Sequence, residues 1–136
     1  MPIHDRLASV PDLPDWSGHA HAVTVSGRLV FVSGQVGMDS ERQVVGVGDV
    51  AAQTRQALSN LHAILRALGA DWPDVVHFNW YVVDPSGSQA IRHIRDELIR
   101  PALGERANPA STLVQVAGLS LPELLVEVEA VVALPE

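Results

Sequence analysis

The 136-residue chain contains no cysteine. That excludes disulfides, a thiol nucleophile and any thiolate-bound metal. It has no basic run: nine Lys and Arg face sixteen Asp and Glu, for a net charge of −7. Nothing in it is suited to neutralising a phosphate backbone, so nucleic acid is not an expected partner. No apolar run approaches the roughly 20 residues needed to span a bilayer, so no membrane partner is expected. The opening residues MPIHDRLASVPDLPDW lack a basic stretch leading into an apolar core, so no export signal is read and the expected location is cytoplasmic.

What is present is mostly apolar. Hydrophobic residues make up 47% of the chain and charged ones 18%, the balance of a globular protein. The length suits a single domain over residues 1–136, able to bury about two-thirds of its unfolded surface. A mean hydropathy of +0.16 points to apolar surface hidden in an oligomer.

Residues 1–18 are punctuated by Pro2, Pro11 and Pro14, show no periodicity and read as an irregular arm. His19–Val25 and Arg28–Ser33 are short β-rich runs around Ser26-Gly27, a hairpin signal. Asp49 is a candidate N-cap for a helix running to about Leu68. Its apolar positions Val50, Ala57, Leu58, Leu61, Ile64, Leu65 and Leu68 form one stripe, and Gly69 follows as a C-cap. Asp74–Asp84 alternates as a strand, with Val76, Phe78, Trp80 and Val82 on one face and Val75, His77, Asn79, Tyr81 and Val83 on the other. A second helix is expected over Ser88–Arg100, with Ala90, Ile91, Ile94 and Leu98 inward, then a loop over Pro101–Pro109. Residues 108–134 read as two strands joined by a short turn. In the second, Glu127 and Glu129 share one face of an otherwise apolar run.

The order is ββαβαββ, an α+β fold with a mixed sheet. Two helices cover one sheet face at most, so the other is left to solvent or a second subunit. Ser111, Leu113, Gln115, Glu127, Glu129, Val131, Asn79 and Tyr81 are expected on that open face.

The SGQ triplet at residues 33–35, the helix AQTRQALSNLHAILRALGA, the strand ending YVVD and the closing PAS…VEVEAVVAL resemble the Rid (YjgF-like) reactive-intermediate deaminase family over about residues 18–134. The resemblance implies a chorismate-mutase-like fold and a homotrimeric barrel with a small-molecule site at each subunit interface. It implies a hydrolase or deaminase acting on imine or enamine C–N bonds, without a cofactor. A guanidinium would hold the substrate carboxylate and a carboxylate would activate water. On the family pattern Glu129 is the catalytic carboxylate that positions and activates the water, and Ser33, Ser111, Arg92 and His19 stand at substrate-binding positions. Leu113 stands where many members carry an interface cysteine. The family's anchoring arginine falls at position 111, where this chain has serine. A neutral hydroxyl is worth half a charge-assisted donor or less, so weak activity on 2-aminoacrylate is expected. Arg92 and Arg106 are candidates for the missing cation.

The alternative is a trimer that binds a small polar metabolite or a partner without chemistry. His19 and His21 share a strand face at a spacing metal sites use, but no further ligands can be read and no metal is expected. Ser33 has no partner base at readable spacing, and Gly46-x-Gly48 lacks the lysine of a phosphate loop.

Overall fold

The computed structural model describes residues 2–16 and 18–136. Helix α1 (Val50–Ala67) begins where the Ala52 N–H donates to the Asp49 carboxylate at 3.1 Å, and it ends at Leu68 ahead of Gly69, whose φ is 74°. Ala57, Leu58, Leu61 and Leu65 are fully buried along its stripe, and Val50, Ile64 and Leu68 flank them. Helix α2 (Ser88–Leu103) buries Ile91, Ile94, Ile99 and Leu103. It runs through Pro101 rather than stopping at Arg100. A proline in the last turn forfeits one hydrogen bond, and the extra turn brings Leu103 fully into the core.

Six strands accompany the helices: β1 (Ile3–Leu7), β2 (Ala22–Val25), β3 (Leu29–Val36), β4 (Val75–Val82), β5 (Ala110–Gln115) and β6 (Val126–Ala133). The first 18 residues are therefore not wholly irregular: β1 pairs antiparallel with β2. That pairing uses the strand expected to form a hairpin with β3, and β3 pairs with β6 instead. The main sheet has the order β3-β6-β4-β5. Strand β5 runs parallel to β4, while β6 lies between β3 and β4, antiparallel to both. The stretch 108–134 is thus no hairpin, because β4 separates its two strands.

Both helices cover one sheet face, as the element count requires. Phe78, Trp80, Val82, Val126, Val128, Ala130 and Val132 face them and are buried. The strand phase before Phe78 differs from simple alternation. A register shift between Val75 and His77 buries Val75 and leaves Val76 half-buried. Among the described residues, no helix is long and apolar enough to cross a membrane.

One polar side chain inside the core ties the layers together. Gln53 of α1 is fully buried. Its amide donates to the carbonyls of Gly46 at 3.2 Å and Glu123 at 2.9 Å, and its carbonyl accepts from the Leu125 N–H at 2.8 Å. The helix thereby satisfies the backbone entering β6. Replacing Gln53 with Leu keeps volume but strands these groups, and should cost about 2–3 kcal/mol in urea unfolding. A loss under about 0.5 kcal/mol would mean that water replaces the amide freely.

Candidate functional site

Alternation along β6 sends Val126, Val128, Ala130 and Val132 to the helices and Glu127, Glu129 and Val131 to the open face. Opposite Glu129 both neighbouring strands are polar. On β3 the register passes from Val32↔Ala130 to Gln35↔Val128, so Ser33 and Gly34 together oppose the one residue Glu129. This is a bulge, and the SGQ triplet forms it. The absent side chain of Gly34 leaves room for Glu127, since a Cβ there would lie 1.7 Å from Glu127 Oε2.

On β4, Asn79 is the direct cross-strand partner of Glu129, and its Nδ2 donates to Glu129 Oε1 at 3.3 Å. The Tyr81 hydroxyl reaches diagonally across the pair and donates to the same oxygen. That bond is the main cause holding the Tyr81 phenol above its ordinary value, so the hydroxyl remains a donor at neutral pH. Oε1 is committed twice, while Oε2 has no partner among the described residues. His77, on the same face, has its pKa lowered mainly by burial, opposed by Glu129. Glu127 is pushed up by burial first and then by the charge of Glu129.

The other residues assigned to the site gather elsewhere. Because β5 pairs with β4 in the register Phe78↔Ser111 and Trp80↔Leu113, Ser111 and Leu113 belong to the helix side of the sheet. Thr112 and Val114 take the open face beside Asn79 and Tyr81. The expectation that Ser111, Leu113 and Gln115 share a face with Glu129 is therefore wrong, since Gln115 pairs with Val82 in the same phase. It rested on a hairpin partnership that β5 does not have.

Ser111, Leu113, His19 and Arg92 instead line a cavity of about 400 Å³ at the edge of the sheet, together with Trp16, Trp80, Ile91 and Arg95. The backbone that carries His19 is fixed there by the Ala20 N–H, which donates to the Pro109 carbonyl at 3.1 Å. His19 stacks on Trp16 with ring centroids 6.1 Å apart. Its pKa is lowered by burial first and then by His21, Arg95 and Arg92, so it is held neutral in a positive pocket.

Five residues stand out from the sequence, and the structure divides them. His19, Arg92 and Ser111 share the cavity, whereas Glu129 and Ser33 lie opposite one another on the neighbouring strands β6 and β3. The Ser33 hydroxyl makes no hydrogen bond to Glu129. Arg106 turns to the Leu103 carbonyl at 3.4 Å and is not part of the cavity wall. Asn79 and Tyr81 are expected from the sequence on the face of Glu129 but not as its hydrogen-bond partners, and Arg95 is not singled out at all. Arg95 carried a readable signal, since Ser88, Ile91, Arg92 and Arg95 recur at steps of three and four on one face of α2. Among the described residues, no three His, Asp or Glu side chains converge as cation ligands.

Residues 14–134 match the family described as Endoribonuclease L-PSP. The chain is similar to the Rid-family protein YyfB of Yersinia pestis, with 35% identity, a TM-score of 0.83, and coverage of 96% of this chain and 100% of that one. It is 34% identical over 108 residues to the 3-aminoacrylate deaminase RutC of Acinetobacter baylyi, covering 79% of this chain and 81% of that protein. It is 31% identical over 130 residues to the 2-iminobutanoate/2-iminopropanoate deaminase of Dermatophagoides farinae, covering 95% and 96% respectively. The chain belongs to this family, the Rid (YjgF-like) proteins.

The raised Glu127 carboxyl has a consequence for stability. Its proton is held more tightly in the folded state than in the unfolded one, whose ordinary value is 4.5. The group therefore favours folding below that value, and this contribution is lost as pH rises through the folded value. Glu127→Gln removes the titration while keeping the shape beside Gly34. Its Tm should approach that of the wild type near pH 4 and exceed it increasingly toward pH 7. A difference independent of pH would show that Glu127 is not desolvated.

Proposed function

We propose that this protein hydrolyses an imine, enamine or related C–N bond of a small polar metabolite through water activated by Glu129. The site is completed between subunits of a homotrimer whose sheets close into a chorismate-mutase-like barrel. The observation that carries this reading is the carboxylate of Glu129. Tyr81 and Asn79 hold one oxygen and leave the other free, opposite the Ser33–Gly34 bulge. A base held in this way is aimed before substrate arrives.

Free Oε2 takes a proton from water as the water oxygen bonds to the imine carbon. The C=N π pair moves to nitrogen, which takes the proton back from Glu129. The carboxylate then removes the hydroxyl proton of the carbinolamine and passes it to the amine as the C–N bond breaks, leaving a carbonyl and ammonia, so an imino acid gives a 2-oxo acid. An enamine first tautomerises to the imine.

Two further observations support assembly. Phe31 is 75% exposed, and Leu29 and Val114 are each 42% exposed. These side chains border the face that carries Glu129, which is too apolar to be left to water. The cavity around Ser111 lies on the helix side of the same sheet, so Glu129 and that cavity form one site only when different copies supply them. The relatives named as deaminases of aminoacrylate or short imino acids agree with the reaction class.

Release of 2-oxo acid from enzymatically generated imines tests the proposal. Wild type should turn over, and Glu129→Gln should lower kcat by about 100-fold or more. Tyr81→Phe, which removes one hydrogen bond to the base, should lower it by roughly fivefold to tenfold. Turnover of 2-aminoacrylate should be weak, because no guanidinium stands at position 111 on β5 to hold so small a substrate. Ligand binding without turnover of any imine would favour the non-catalytic reading, and undiminished activity in Glu129→Gln would sink the proposed role of that residue.

A further inference from the structure

All nine basic side chains of the chain are arginine, and two of them, Arg92 and Arg95, line the cavity beside Ser111. They differ in their surroundings. Arg92 is exposed and makes no ion pair among the described residues. The Arg95 side chain is only 12% exposed. Its guanidinium lies under Gly18, where a Cβ would stand 3.0 Å from Nη1. Nε and Nη2 both donate to a single oxygen of Asp96, at 3.1 and 2.9 Å. Nη1 has no partner among the described residues.

The ion pair does not explain this placement. Successive helix residues do not face one another, and Asp96 is half exposed, so the pair contributes little. What the arrangement does achieve is to hold a guanidinium with an open edge in a cavity wall. An arginine already held there loses little entropy on taking a planar anion. Two arginines against the single acid Asp96 leave the cavity positive in a chain of net charge −7. The rest of the lining mixes the polar His19, Ser88 and Ser111 with an apolar group that includes Trp16, Trp80, Ile91 and Leu113. About 400 Å³ lies within the range of pockets that enclose drug-sized ligands and is generous for a three-carbon acid.

We propose that Arg95, projecting from α2, is the carboxylate anchor that Ser111 on β5 does not provide, and that the cavity selects 2-imino acids with bulky apolar side chains. Arg95 binds the carboxylate through its free edge, Arg92 strengthens the field at the rim, and the apolar wall takes the side chain. The substrate class rests on the imine-hydrolase reading, whereas the anchoring role is a matter of binding alone. The two can therefore fail separately.

The probe is 4-methyl-2-oxopentanoate, the product expected from the imine of leucine, titrated calorimetrically beside its methyl ester. Wild type should bind the acid, and the ester about tenfold or more weakly, since the charge-assisted pair is lost. Arg95→Met, which keeps the stem, should weaken the acid by about tenfold or more and leave the ester unchanged. Arg95→Lys should fall between, because an ammonium keeps the charge without the fork. Asp96→Asn should have the opposite sign and tighten the acid, because it removes a negative charge from the cavity lining while its amide oxygen can still accept from Arg95.

If Arg95 were merely structural, Asp96→Asn would weaken binding alongside Arg95→Met, or both variants would lower Tm without changing acid-over-ester selectivity. Either result overturns the anchor. Equal binding of acid and ester by wild type, or no binding of the acid, overturns it too. Should binding behave as expected while no imine is turned over, the anchor stands and the hydrolase reading falls. Turnover of the leucine-derived imine with an unchanged KM in Arg95→Met leaves the hydrolase and removes the anchor.

Discussion

A four-stranded sheet with two helices has one face it cannot cover, and the placement of the acids on β6 depends on that constraint. This central strand meets it with strict alternation: valines and alanine to the helices, carboxylates to the other side. An ionised carboxylate cannot enter the dry layer without heavy cost. Glu127 and Glu129 are thus confined to the open face by the same hydrophobic pressure that seats Val126, Val128 and Val132. The core and the acidic face are two consequences of one period-two pattern.

The polar groups of the chain then fall into two sets. Around Glu129 the neighbouring strands supply a bulge on β3 and hydrogen-bond donors on β4, which fix one carboxylate oxygen. Around Ser111 the edge strand, α2 and the segment before β2 supply two arginines, a neutral histidine and an apolar wall. The first set has the character of a base and the second that of an anion receptor. Hydrolysis of an imino acid needs both at one carbon. The sheet keeps them apart within a chain, and the subunit contact proposed at the exposed Phe31 and Val114 is what would bring them together.

Local features were legible in the sequence. The stripe and both caps of α1 follow from three- and four-residue spacing with Asp49 and Gly69 at the ends, and the faces of β6 follow from alternation. Legibility failed where a residue's environment is set by a distant partner. Nothing between Ser111 and Val126 reveals that β4 will lie between β5 and β6, so the face of Ser111 was misassigned. The shift between Val75 and His77 reverses the phase of a strand that reads as perfectly regular. Pro101 reads as a helix stop, but burial of Leu103 outweighs one lost hydrogen bond. Of the site, Glu129, Ser33, His19, Arg92 and Ser111 stand out by family pattern alone. The bond from Tyr81 to Glu129 is diagonal across two strands 48 residues apart. No local spacing encodes it.

Division of the site between copies can be tested by mixing two variants, each defective in one set. Glu129→Gln subunits keep the receptor and lack the base, while Arg95→Met subunits keep the base and lack the anchor. Unfolded together in equal amounts and refolded, they should form mixed oligomers of the proposed trimer. If each site takes its base from one subunit and its anchor from another, about one quarter of the sites regain both, and imine hydrolysis recovers well above either variant alone. If base and anchor act within a single chain, mixing restores no intact site, and the activity of the mixture remains the average of the two variants.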